Sequence, residues 1–251
     1  MTYLLTNQNN FAHVPYPCAS FPQATVKSGG CGPCSVLNCV ENMTARRFQM
    51  AEWIRYDMAN GGRIDGGTSI TAILKALKRD YGFGYQCTNN LTEVKSHLKQ
   101  GGFGVFHGGY GNVFSSAGHF VCLAGIRGNQ AIVLDSAWYQ AKYSSSYRKK
   151  RVTEGKQKGL LYVDFAYVEA DKKYKQNQAA NYYLITAPKE KEEEDMIIYK
   201  TEKDVPEYGQ KTVKKLVDKG FLCGTGNGEL NISEDMLRIL VVLDRAGAYE
   251  K

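Results

Sequence analysis

Ser28-Gly29-Gly30-Cys31-Gly32-Pro33-Cys34 is the stretch on which the fold turns. Behind it, Val36, Leu37 and Val40 recur at helical spacing, with Thr44 near the end of the run. Pro33 suits an early helical position, so the pattern predicts a helix that begins near Cys31. A thiol at that point feels the positive end of the helix dipole, which stabilises the thiolate. Cys31 is therefore the candidate nucleophile. The glycines beside it leave room for a substrate backbone, and Gly30 is assigned to substrate binding on that ground.

Upstream, Pro15, Pro17 and Pro22 and the flexible Lys27-Ser28-Gly29-Gly30 predict irregular chain over residues 1–30. Downstream, a second helical stretch covers about 48–59 and stops at Asn60-Gly61-Gly62. Thr68 can cap a third helix, whose Ile70, Ile73, Leu74 and Leu77 form one stripe. Asn90 or Thr92 can cap a fourth, through Val94 and Leu98, stopped by Gly101-Gly102. The period then changes to two: 103–106, 120–126, 131–134, 160–163 and 182–185 read as strands. Helices first and strands second predict an α+β fold.

A nucleophile needs a base, and the chain has four histidines. His13 falls in irregular chain, His97 on the fourth helix, and His107 ends a strand and is the alternative base. His119 opens the strand that runs from Phe120, where the backbone holds it rigidly while its tip reaches a cleft. Asp135 closes the next strand and can orient the imidazole as the third member of a triad. Gly128-Asn129 is a turn signal joining those two strands. A plain two-residue turn pairs 119 with 138 and puts 119 and 135 on opposite faces. A three-residue loop or a bulge pairs 119 with 137 and puts them on one face. The triad therefore requires an odd-length loop or a bulge. Gly118, beside the base, and Trp138, just after Asp135, are assigned to the substrate cleft.

Pro188 is followed by Lys-Glu-Lys-Glu-Glu-Glu-Asp, a run with no apolar anchor. The expected division is a first domain over 1–188, a charged linker over 189–198 and a small helical module over 199–251. In the module, Val213, Leu216 and Val217 make one apolar face. Ser233 caps a helix carrying Met236, Leu237, Leu240, Val241 and Leu243. About 55 residues of this kind are too few to be comfortable alone, so the module is expected to dock on the first domain or on a copy of itself.

Residues 1–188 carry a net charge of +10 and residues 189–251 a net −3. A basic body favours an anionic partner, either nucleic acid or an anionic wall polymer, or serves solubility alone. No apolar run is long enough to span a bilayer, and no membrane insertion is expected. Met1 to Asn7 contain no basic residue, and the expectation is a chain without a secretory signal. The seven cysteines are then expected to be free thiols.

Gly30-Cys31-Gly32-Pro33-Cys34, Gly118-His119-Phe120-Val121 and Val133-Leu134-Asp135-Ser136, in the order Cys, His, Asp, resemble the papain-fold peptidases related to bacteriocin-processing peptidases. The resemblance covers roughly residues 10–187. It implies a papain-like fold of helices on an antiparallel sheet, and thiol peptidase activity without a cofactor or metal. In such enzymes a side-chain donor upstream of the cysteine, often Gln, helps hold the oxyanion. Gln23, eight positions before Cys31, is the candidate, beside the Cys31 backbone N–H.

In the tail, Val205-Pro206-Glu207-Tyr208-Gly209, Lys219-Gly220, Gly224-Thr225-Gly226, the run from Leu230 to Arg238 and Asp244-Arg245-Ala246-Gly247 resemble the C-terminal module of endolysins from phages of Gram-positive bacteria. Together the two resemblances imply a lysin that cuts amide bonds of peptidoglycan. It would be held in the host cytoplasm until a holin releases it to the wall. Its partners would be peptidoglycan and wall polymers, with no nucleic acid. The acidic codons before Met196 raise the further expectation of an internal start there, giving a tail fragment that assembles on the full chain.

Three other readings compete. Cys31-Gly32-Pro33-Cys34 is also a thioredoxin-type dithiol, but glycine-rich chain rather than a strand precedes it, and no proline occurs between Pro33 and Pro188. Cys31 and Cys34 have zinc-ligand spacing without a second ligand pair. A papain-like fold without activity, serving as a surface-binding protein, is the non-enzymatic alternative.

Overall fold

The computed structural model describes residues 2–109, 111–172, 180–188, 197–226 and 229–250. The chain divides into two compact units, Met1–Lys189 and Glu190–Lys251.

In the first unit, helix α1 (Cys31–Thr44) is the centre of the structure. Ten consecutive residues from Gly32 to Glu41 are buried, as expected of a helix that is apolar nearly all round. Three polar side chains are buried on it, Ser35, Asn38 and Glu41, and the last two are well partnered. Asn38 accepts the Thr6 N–H at 2.6 Å, and Glu41 accepts Arg47 at 2.7 Å and the Thr6 hydroxyl at 2.9 Å. Helices α2 (Met50–Ala59), α3 (Ile70–Tyr81) and α4 (Leu91–Lys99) follow. Ser69, not Thr68, caps α3, accepting the Ala72 N–H. Thr68 instead lies in a small hairpin pairing Arg63–Ile64 with Gly67–Thr68. Asn90 caps α4. The irregular stretch before Cys31 contains a 3-10 turn, Gln8–Asn10, and one α-helical turn, Val26–Gly29.

The sheet has seven strands, all antiparallel: β1 (Gly84–Thr88), β2 (Phe103–Gly108), β3 (His119–Arg127), β4 (Gln130–Leu134), β5 (Val152–Glu154), β6 (Leu160–Asp164) and β7 (Tyr182–Thr186). Their spatial order is β1-β7-β2-β3-β4-β6-β5. Alternate residues divide between two cores. Val105, Phe120, Cys122, Leu134 and Tyr183 pack with Leu37 and Val40 of α1. Phe106, Val121, Leu123, Val133 and Leu161 pack on the other side with Val94 and Leu98 of α4 and with Phe165 and Val168 of α5 (Phe165–Ala170). A sheet covered on both faces explains why β3 reads as an almost unbroken apolar run. This is an α+β fold, with the helix headed by Cys31 laid against an antiparallel sheet.

The β3–β4 hairpin changes register along its length. Arg127 pairs with Gln130, Ile126 with Ala131 and Gly125 with Ile132, but Leu123 pairs with Val133 and Cys122 with Leu134. Ala124 is therefore a bulged extra residue. The turn has two residues, and the bulge restores the register that puts 119 opposite 137.

The second unit pairs Ile198–Tyr199 with Ile232–Ser233 and contains helices α6 (Glu207–Asp218) and α7 (Glu234–Arg245). Val205, Val213, Ile232, Leu237 and Val241 form its core, and Ser233 caps α7 through the Met236 N–H. Ile198, assigned from sequence to the linker, is a paired strand residue of this unit. The rest of the linker up to Met196, the proposed start at Met196, and Asn227-Gly228 lie outside the described residues. Among the described residues no helix is long and apolar enough to cross a membrane.

Candidate active site

Cys31 is the first residue of α1, and close packing holds the chain at that point. A Cβ on Gly32 would lie 2.5 Å from Cβ of Thr68, and one on Gly30 would lie 2.5 Å from the Val26 carbonyl oxygen. His119 and the backbone N–H groups of Phe120 and Gly32 lie near enough to the sulfur to favour its thiolate. Burial opposes ionisation, but these donors and the charge of His119 outweigh it and hold the Cys31 thiol below its ordinary value.

His119 is the first residue of β3 and is buried. Its Nε2 donates to Oδ1 of Asp135 at 2.8 Å, which leaves Nδ1 for the sulfur. Burial works against the imidazolium. The hydrogen bonds to Asp135 and Cys31 and the carboxylate charge override it and raise His119 to about 9.

Asp135 follows β4 and is completely buried. Four donors converge on its two oxygens. Oδ1 accepts His119 and the Ala137 N–H at 3.0 Å; Oδ2 accepts Lys142 Nζ and the Tyr143 hydroxyl, each at 2.7 Å. Burial alone would push the carboxyl up, but Lys142 and His119 hold it well below the ordinary carboxylate range. The structure thus brings Cys31, His119 and Asp135 into one chain of contacts.

Lys142 was not legible in the sequence. It sits in irregular chain after β4, where no periodicity marks a lysine as buried. Gln8, also unflagged, ties the two sides of the site together. Its N–H donates to the Ser136 carbonyl at 2.7 Å and its Nε2 to the Lys27 carbonyl at 2.8 Å.

A cavity of about 640 Å³ opens beside Cys31. Gln23, Gly29, Gly118, Arg63, Thr68, His107 and Phe120 are among the residues that line it. Gln23 is exposed on this wall. His107, the alternative base, stacks on Phe120 with ring centroids 4.4 Å apart. The Asp135 carboxylate bonds His119 and not His107. His97 is held by the carbonyls of Phe103 and Ile185.

Two residues assigned to substrate binding lie away from this cavity. Gly30 is buried and off the cavity wall; its missing side chain accommodates Val26. Trp138 does not line the cavity either: it packs against the α4-side core and donates Nε1–H to Glu154 at 2.7 Å. A glycine that lets a substrate approach and one that lets the chain itself pack look alike in sequence.

Cys34, the other half of the possible dithiol, is buried inside α1, and burial pushes its thiol well above the ordinary value. Among the described residues no three His, Cys, Asp or Glu side chains group as metal ligands.

No family model matches the chain, and no curated protein matches it. Solved structures do. A double glycine motif protease from an AMS/PCAT transporter, crystallised with the leader peptide, is 19% identical over 61% of this chain and 81% of that one, with a TM-score of 0.37. The peptidase domain of Streptococcus ComA, a bi-functional ABC transporter of a quorum-sensing pathway, is 16% identical over 63% of this chain and 90% of that one, also with a TM-score of 0.37.

Proposed function

We propose that this protein is a cysteine peptidase whose substrate is bacterial peptidoglycan, an endolysin-type enzyme that cuts an amide bond of the stem peptide or cross-bridge. One observation carries the catalytic part: Cys31 heads a helix beside His119, whose imidazole bonds the buried carboxylate of Asp135 at 2.8 Å.

The Cys31 sulfur attacks the amide carbonyl as thiolate. The oxyanion is received by the Cys31 backbone N–H and by the Gln23 side chain on the cavity wall. The imidazolium of His119 gives its proton to the leaving nitrogen as the C–N bond breaks, leaving a thioester. Water then attacks the thioester, His119 takes its proton, and the acid leaves as the thiolate is regenerated. Asp135 fixes the imidazole throughout, and Gly118 borders the path of the substrate.

The wall substrate rests on the resemblance of the tail and on the basic first unit, which suits an anionic wall. Release through a holin and assembly through the tail belong to the same reading. The buried, high-pKa Cys34 speaks against a dithiol oxidoreductase, and the intact Cys–His–Asp contacts speak against an inactive binding protein.

Cys31→Ala is expected to abolish lysis of Gram-positive cell walls, with mass spectra of the digest identifying the bond cut by the unsubstituted protein. Undiminished lysis by the variant would refute the assignment.

A further inference from the structure

The most unusual group near the site is a lysine. Lys142 is buried, with Nζ 2.7 Å from Oδ2 of Asp135 and 3.3 Å from the Ala137 carbonyl. Its own carbonyl accepts Arg148 at 3.1 Å, so the segment that carries it is pinned. Long cationic side chains are rarely buried without a specific partner. The partner here is the one carboxylate that also orients the candidate base.

We infer that Lys142 is a positioning residue of the hydrolase: it fixes Oδ2 of Asp135 so that Oδ1 faces His119, and it supplies the buried countercharge that keeps His119 from being the only cation paired with that carboxylate. The inference rests on the reading of Cys31 and His119 as nucleophile and base.

The charged and titratable groups around the pair are few. Asp135 faces His119, Lys142 and the Tyr143 phenol. His119 faces Asp135 and Cys31 and feels the charge of Lys142, which opposes its protonation. Arg148 and Glu154 act one step away, on Tyr143. Remove the ammonium and the carboxylate has a single cationic partner left. The imidazolium is then held more tightly and becomes a poorer acid toward a leaving amine. A base must be able to release the proton it takes, and catalytic groups work best with pKa values near the working pH. Lys142 thus offsets part of the pull of Asp135 on the proton of His119.

The test is the titration of His119, followed by NMR of its ring protons in Lys142→Met, Lys142→Arg and Tyr143→Phe proteins. Iodoacetamide labelling of Cys31 is measured alongside. Lys142→Met is expected to raise the His119 midpoint by about 1 pH unit and to lower the hydrolytic rate. Lys142→Arg, which keeps the charge, should stay near the unsubstituted protein. Tyr143→Phe removes a neutral donor from the same oxygen, and the midpoint should move much less. Equal shifts in Lys142→Met and Tyr143→Phe, or no shift in either, would overturn the inference in favour of a packing role. If Lys142→Met does not fold, a neutral Lys142 amine at pH 7 in the unsubstituted protein, read from its Nζ resonance, overturns it, and a charged one supports it. A Cys31 that labels no faster than an ordinary thiol refutes the reading of the site itself, whatever Lys142 does.

Discussion

Replacing Asp135 by Asn separates charge from shape at the centre of the site. The carboxylate receives four donors on two oxygens: His119, Ala137, Lys142 and Tyr143. An amide has one accepting oxygen and one donating nitrogen, so at least one of those donors must face another donor. The carboxylate is completely buried, and its replacement leaves Lys142 without a counter-ion. Breaking a buried pair by removing one partner costs about 3–5 kcal/mol, and that is the expected loss of stability. The effect on the thiol follows separately. His119 stands at about 9 against an ordinary 6.5, a difference worth roughly 3 kcal/mol in favour of the imidazolium. Two of the three causes that raise it come from Asp135, and burial, which lowers it, stays. In Asp135→Asn the imidazole is therefore neutral near pH 7, and Cys31 loses the charged partner that helps keep its thiol low. The assay is the rate of Cys31 alkylation by iodoacetamide from pH 5 to 9, read by peptide mass spectrometry under conditions where the variant stays folded. The unsubstituted protein should reach its plateau at lower pH. The variant should climb about tenfold per pH unit until it nears the ordinary thiol value of about 8.5. A variant that keeps the low-pH plateau would show that the carboxylate does not set the charge state of the pair.

Two further outcomes follow from the same geometry. In Cys31→Ala protein His119, still raised by Asp135, should make stability depend on pH, with the contribution complete below pH 6.5 and lost as pH rises through a folded value lower than the value of about 9 in the unsubstituted protein. In the unsubstituted protein the lowered Cys31 acts with opposite sign over part of this range, so urea denaturation across pH should fall more steeply for Cys31→Ala; parallel curves would count against a coupled pair. Gly32→Ala should cost about 1–3 kcal/mol by overpacking, because the new methyl lies 2.5–2.7 Å from three Thr68 side-chain atoms. It should also slow Cys31 alkylation by disturbing the first turn of α1, and unchanged stability would mean that the Thr68 hairpin yields freely.

The parts of the fold that follow a strong period were legible. The stripe of Ile70, Ile73, Leu74 and Leu77 lies on one buried face of α3, and the strands of the sheet centre were all recognisable. The edge strands β1 and β5 were not. Both are partly exposed, so their side chains need not alternate. Helix α5 escaped because six residues make less than two turns and its cap, Asp164, doubles as the last residue of β6. At the site, Cys31 was legible because glycine and proline mark the head of its helix, and His119 and Asp135 because they stand at the open ends of two strands joined by one turn. Lys142 was not, since burial of a loop lysine depends on a carboxylate brought to it by the fold and not on its own neighbours in sequence.

The bulge at Ala124 shows how the two kinds of information meet. Gly128 adopts a positive φ of 59° in the turn, which suits the tight two-residue connection that joins twisted strands. That turn fixes an even register, and carried along the whole hairpin it would send the side chains of 119 and 135 to opposite faces. The base and its orienting carboxylate require the other register. One extra residue satisfies both. Ile126 and Ala131 keep the pairing the turn dictates, while Leu123 and Val133, nearer the site, keep the pairing the chemistry needs. Ala124 remains buried, so the irregularity lies inside the sheet and not at a frayed edge. The hydrogen bond between His119 and Asp135 is possible because the register changes between the turn and the site.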